Sequence, residues 1–215
     1  MTASQKQCPS RRDGFSRIGE IRGRQEWRRR VVSLAVKNQK FVVLAVVFAG
    51  LLAYQNSFFG PFVFDDTDSI FQNRTIRHLW PPWEALSPPH GSGATVEGRP
   101  LLNLTFAVNC ALGGTTPWGY HVVNLVIHIL AGLVLFGIAR RTFLQPVMAK
   151  RFETEATSLA LAIAVIWTIH PLQTKAVTYV SRRAESLMGL FYLLTMYCFV
   201  RGAESEKRGS GMRFR

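Results

Sequence analysis

Two adjacent carboxylates, Asp65 and Asp66, sit in the run Phe64, Asp65, Asp66, Thr67, Asp68, directly after the chain's first long apolar stretch. A carboxylate at a membrane surface can take the proton of an attacking hydroxyl, or hold a divalent cation. Contact with lipid would be costly, so these side chains must face water or a protein cavity. The plainer alternative is that the exit of any spanning helix is polar, and spacing alone does not separate the two.

Further along, His121, Asn124 and His128 fall at i, i+3 and i+7, on one face of an apolar helix. Such a stripe faces other helices or a water-filled cleft. Hydrogen bonding between helices suits the deeper His128, whereas His121 lies near the surface, level with the acidic run. The two histidines stand about 10 Å apart along the axis, which disfavours a shared metal, and no cofactor or metal site is indicated. A third group comprises His170, Lys175, Arg182, Arg183 and Glu185. Its arginines can grip an anion such as a lipid phosphate through bidentate contacts, or simply pair with Asp65, Asp66 or Glu97.

The elements that must position these residues are membrane helices. Apolar residues are gathered into long runs rather than spread at core-forming intervals. The segments 41–59, 118–139, 156–172 and 186–200 are predicted to cross the bilayer, the last only 15 residues long. Between the first two lies a long polar loop holding Trp80 and Trp83. That loop ends in an apolar stretch, 101–117, interrupted by Asn103, Asn109 and a Gly113, Gly114 pair, which predicts an interfacial or re-entrant helix rather than an ordinary span. The fold class is therefore an all-α membrane protein of about four transmembrane helices.

Charge sets the expected orientation. With both ends and the 140–155 loop cytoplasmic, 20 basic residues lie inside and six in the two outer loops. Eleven of them precede Phe41, so 1–40 reads as a basic, disordered cytoplasmic tail that can meet an anionic membrane face. The membrane region then covers 41–200 and a second cytoplasmic tail 201–215. The net charge of +13 does not indicate a nucleic-acid partner, because these basic residues do not lie among aromatics on a folded surface. Cys8, Cys110 and Cys198 show no CxxC spacing, and the first apolar run lacks a clean cleavage site, so it reads as a retained helix. Two sequons, N-R-T at 73–75 and N-L-T at 103–105, matter in a eukaryotic secretory membrane.

Three stretches, FVFDDTDSIFQNRTIRHLW, RPLLNLTFAVNCALGGTTPWGYHVVNLVIH and IHPLQTKAVTYVSRRAESLMGLFYLLTMYCF, carry a resemblance. In this order they resemble the multi-spanning GT-C glycosyltransferases, and among them the transmembrane and tetratricopeptide-repeat O-mannosyltransferases and their bacterial relatives. The resemblance implies transfer of a sugar from a polyprenyl-phosphate donor to an acceptor hydroxyl, on a protein or glycan, at the outer or lumenal face of a bacterial inner membrane or endoplasmic reticulum. It implies an acidic base at Asp65 or Asp66 and donor-phosphate binding by Arg99, Arg183 or both. Lys175 stands where the family pattern has glutamate, and Arg182 where it has glutamine. Family members continue through further spans and repeats, so the chain resembles an amino-terminal fragment.

Two other classes compete with the enzyme. A non-catalytic anchor or scaffold would keep the fold without the chemistry. A small transporter is suggested by the His121, Asn124, His128 face and disfavoured by the lack of an internal repeat. The charge count gives a direct expectation about topology. In a cysteine-free background, Ser92→Cys should be labelled from the outer side and Ser205→Cys from the cytoplasmic side; labelling of both from one side would contradict four crossings.

Overall fold

The computed structural model describes residues 39–63, 65–91 and 94–210, so nearly all of the basic tail expected over 1–40, and residues 211–215, lie outside the described residues. Among the described residues the secondary structure is helical throughout, and the chain is an all-α integral membrane protein.

Helix α1, Gln39–Tyr54, tightens into a turn of 3-10 helix at Gln55–Phe59. The loop that follows is organised rather than open: a π-helical turn at Thr67–Phe71, a 3-10 turn at Arg74–Ile76, then α2, Pro82–Ala85, and α3, Pro100–Gly113. Next come α4, Pro117–Phe143, α5, Pro146–Phe152, and α6, Ala156–Ile169. After a short 3-10 turn, α7, Thr174–Thr178, leads to α8, Arg183–Ser210. Four of these helices open on proline, whose fixed φ suits the first turn and whose missing N–H is not needed there. Gly114 closes α3 at φ 63°, a conformation that side chains with a Cβ rarely adopt.

Among the described residues three helices are long and apolar enough to cross a membrane: Lys40–Phe59, Pro117–Phe143 and Arg183–Ser205. The expected span 156–172 is different. Helices α5 and α6 meet at 96°, and α6 alone has 14 residues, rising about 21 Å against the ~30 Å of hydrocarbon. It stops at Ile169 because Pro171 cannot continue it. The last span, in contrast, begins at Arg183 rather than at 186. A charged residue sits inside the helix because its charge is satisfied there.

Helix α4 is the centre of the bundle, packed against α1, α6 and α8. Close approach rests on small residues: a Cβ added at Gly132 would fall 2.7 Å from Thr168 Oγ1. Buried Ala131, Ala160 and Ala164 make similar room. The broken end of α6 leaves the Thr168 carbonyl without its usual partner, since the Leu172 amide turns to His170 Nδ1 at 3.2 Å. Tyr54 Oη donates to that carbonyl at 3.1 Å and His128 Nε2 lies 2.9 Å from it. Two helices thereby supply what a third lacks, which an apolar interior requires.

The loop between α1 and α4 has its own core of Ile70, Ile76, Ala85, Val96, Leu102 and Phe106, extended by Tyr120 of α4. At its middle, Asn103 Nδ2 donates to Thr75 Oγ1 (2.7 Å) and to the Ala85 carbonyl (2.8 Å), while Asn103 Oδ1 accepts from Asn73 Nδ2 (2.7 Å). Both sequon asparagines are therefore buried and committed to each other. The chain made in a eukaryotic secretory membrane should show no mobility shift on peptide-N-glycosidase treatment. Asn103→Ala should lower stability by about 1–3 kcal/mol, because it leaves buried groups of Asn73 and Ala85 unpaired. A glycan on either asparagine in the folded protein would contradict this packing.

Candidate functional site

The chemistry-bearing residues meet where the loop joins the start of α8. Arg183, in the first turn of α8, is 0% exposed. Its Nε donates to Asn124 Oδ1 at 2.7 Å, Nη1 to Asn109 Oδ1 at 2.7 Å and to Thr105 Oγ1 at 3.3 Å, and Nη2 to the Tyr120 carbonyl at 2.9 Å. The faces of Phe106 and Tyr120 lie 4.7 and 5.7 Å from the guanidinium carbon, close enough for cation–π attraction. Neutral oxygens from α3 and α4 thus hold a buried cation. Arg183, expected as a donor-phosphate ligand, has every nitrogen of its fork engaged by protein groups, and it lines none of the cavities described below.

Asp66 is the second buried charge, 1% exposed. Its Oδ2 accepts from the Val63 amide at 3.1 Å and its Oδ1 from the Ser181 amide at 2.6 Å. One carboxylate thereby clamps the exit of α1 to the entry of α8. Asp66, expected together with Asp65 as a base, thus has both carboxylate oxygens engaged by backbone amides. Asp65, one residue earlier, is exposed and opens onto two cavities.

The larger cavity, of about 720 Å³, is lined by the charged residues Asp65, Glu97, Arg99, Arg182 and Glu185 and by the apolar Leu101, Leu102, Leu187, Met188 and Phe191. Arg99 is exposed and steadied by a 2.7 Å hydrogen bond from Nη1 to the Thr95 carbonyl. Arg182 is ion-paired with Glu185, one turn on. That carboxylate, and Asp65 further off, hold the Arg182 guanidinium above its ordinary range. Of the residues singled out in the sequence, Asp65, Arg99 and Glu185 are therefore brought together in one cleft.

The rest of the stripe stays out of it. Asn124 accepts from Arg183 and donates to the carbonyls of Val177 (3.3 Å) and Tyr179 (3.0 Å), tying α7 to the hub. His121 Nε2 lies 3.2 Å from the Gly60 carbonyl, and its buried Nδ1 has no hydrogen-bond partner among the described residues. His128 stacks on Trp167 at 4.7 Å and borders a separate cavity of about 270 Å³ beside Lys175 and Glu185. His170 is exposed and caps the turn after α6. Among the described residues no three His, Cys, Asp or Glu side chains group so as to hold a metal ion.

The Ser181 amide is the site group that sequence reasoning did not single out. Thr105 and Asn109, four apart inside the apolar α3, and Asn124 on α4 turn side-chain oxygens to the same buried arginine and were the available signal.

No family model matches the chain, and no solved structure matches it. Among curated proteins it is similar to a protein O-mannosyl-transferase of Caenorhabditis elegans, 28% identical over 168 residues, covering 75% of this chain and 23% of that protein. It is likewise similar to protein O-mannosyl-transferase TMTC4 of Mus musculus, 31% identical over 178 residues, with coverage of 78% and 24%. Protein O-mannosyl-transferase Tmtc2 of Drosophila melanogaster is 31% identical over 180 residues, with coverage of 80% and 18%. The chain thus spans less than a quarter of the length of these relatives.

The geometry separates a holding arginine from open ones. Arg183→Lys keeps the charge but cannot reproduce the fork, so thermal unfolding in detergent should show a loss of about 2–4 kcal/mol. Arg99→Ala should stay within about 0.5 kcal/mol of the parent. Equal stability of parent and Arg183→Lys would contradict the hub.

Proposed function

This chain is a relative of the protein O-mannosyl-transferases, and we propose that it is the membrane part of a glycosyltransferase, binding a polyprenyl-phosphate sugar donor and presenting it to an acceptor hydroxyl. The observation that carries this reading is the larger cavity, whose lining sets two arginines, Arg99 and Arg182, among the carboxylates of Asp65, Glu97 and Glu185 and beside an apolar group. A polyprenyl phosphate has the same two-part chemistry. Its phosphate suits Arg99 and Arg182, which offer planar, charge-assisted contacts. Its hydrocarbon suits Leu101 and Leu102 of α3 and Leu187, Met188 and Phe191 of α8, the last three on a helix long and apolar enough to cross the membrane. The relatives' name makes mannose the sugar to test.

In the proposed reaction Asp65 takes the proton of the acceptor hydroxyl as its oxygen attacks the anomeric carbon. The bond from that carbon to the phosphate oxygen breaks, and the electron pair leaves with the polyprenyl phosphate. Arg99 and Arg182 stabilise the charge that develops there. Arg182 must then share itself between Glu185 and the phosphate, which favours a donor that arrives with its own negative charge. Asp66 and Arg183 take no proton and touch no substrate; they fix the elements around the cavity relative to each other. The activity of the chain on its own is part of what the experiment measures, given that it spans less than a quarter of its relatives.

The test is transfer of labelled mannose from a polyprenyl phosphate to an acceptor peptide in proteoliposomes. Asp65→Asn should cost about 100-fold or more in turnover, while donor binding stays within about two-fold, since the amide keeps the shape and loses only the base. Arg99→Ala should weaken donor binding by about ten-fold or more, the loss expected for a charge-assisted hydrogen bond. Transfer by Asp65→Asn at the parent rate would remove the catalytic role. Donor binding by the parent without transfer would leave the anchor or scaffold reading in front.

A further inference from the structure

Asp65 borders a second cavity, and that cavity differs in kind from the first. It encloses about 300 Å³ and is lined by Val63, Asp65, Lys175, Tyr179, Ser181 and Arg182. Asp65, Ser181 and Arg182 are common to both cavities, so the open carboxylate and one guanidinium stand at the junction. Val63 is the one aliphatic side chain in the smaller cavity, where the larger is lined by leucine, methionine and phenylalanine. A hydrocarbon tail would therefore bury little apolar surface there.

Charge distinguishes the two cavities further. Glu185, the partner of Arg182, lines the larger cavity and not the smaller one. Lys175 lines the smaller cavity, is exposed, and has no side-chain hydrogen bond or ion pair among the described residues. The smaller cavity thus presents two cations, one carboxylate, a phenol and a serine.

We propose that this smaller cavity is the acceptor subsite, and that it selects a peptide in which the target serine or threonine neighbours a carboxylate side chain. The inference rests on the donor reading of the larger cavity and adds to it the chemistry of the acceptor. A hydroxyl entering this cavity beside Lys175 meets Asp65, which also borders the cavity that Arg99 lines. It can then lose its proton to Asp65 while its oxygen attacks a sugar held across the junction. The neighbouring carboxylate of the peptide pairs with Lys175 and with the outward edge of Arg182. A neutral neighbour would forgo that pairing, and a basic one would face two like charges.

The experiment uses the full chain in nanodiscs and three dye-labelled peptides that differ at one position, Thr followed by Asp, Asn or Lys. Fluorescence anisotropy should show the Asp peptide bound about 3- to 5-fold more tightly than the Asn peptide at low salt, the scale of an exposed ion pair. The difference should vanish near 1 M salt, where such pairs are screened. Lys175→Gln should remove the preference and Lys175→Glu should turn it toward the Lys peptide; both changes fall on an exposed side chain, so the fold is not at stake. Equal binding of Asp and Asn peptides by the parent, or a preference that survives Lys175→Gln, would overturn the proposal. Polyprenyl-phosphate binding by the same samples is read separately through Arg99→Ala. A lost lipid response with an intact peptide preference would fault the donor reading, and the converse would fault the acceptor subsite.

Discussion

A full positive charge at Arg183 sits in the interior on neutral oxygens alone, and the arrangement of the loop end of the bundle follows from the need to satisfy it. Burying an ion is expensive, and the cost is offset only if its donors find well-placed acceptors. Thr105 and Asn109 supply them from α3, Tyr120 and Asn124 from α4. Those helices must therefore converge on the first turn of α8. Asn124 extends the constraint, since the amide it presents to the Val177 and Tyr179 carbonyls fixes the segment leading into α8. The Asp66 clamp on the Ser181 amide adds the exit of α1 to the same assembly.

From this comes a division of labour within two pairs of neighbours. Asp66 is buried and holds, while Asp65 is exposed and faces the cavities. Arg183 is buried and holds, while Arg182 is exposed and lines the same cavities. Successive residues on a helical turn point about 100° apart, so anchoring one member of a pair inward aims the other outward. The open carboxylate and the open guanidinium are thereby set by buried neighbours rather than by their own contacts. Such support is what a site needs if charged groups are to stay in place without substrate.

The sequence made the membrane class, the long spans and the acidic and basic clusters legible, because hydropathy and charge are local properties. Depth was not legible. Arg183 read as a loop cation because the hydropathy of its own neighbourhood ends at about residue 186, while its partners lie 59 to 78 positions away. Asp66 and Asp65 could not be separated, since the partner that decides between them, the Ser181 amide, is 115 residues distant. The polar stripe on α4 was legible as a face, and the structure gives it to interhelical hydrogen bonds and to the Arg183 hub instead of one cleft. The two sequons were legible as motifs, but their burial depends on contacts across 28 to 30 residues.

The central claim is that the cleft between the loop and α8, framed by the buried Arg183, takes the lipid phosphate, with its tail along the apolar lining. Photo-crosslinking tests this most directly, using a polyprenyl phosphate that carries a photoreactive group on the first isoprene units, followed by peptide mapping. The account predicts adducts on Leu101, Leu102, Leu187, Met188 and Phe191, the aliphatic lining of the cavity, suppressed by excess unlabelled lipid. Adducts confined to the exposed face of α1, at Phe41, Leu44, Phe48 and Leu52, and insensitive to competition, would contradict it.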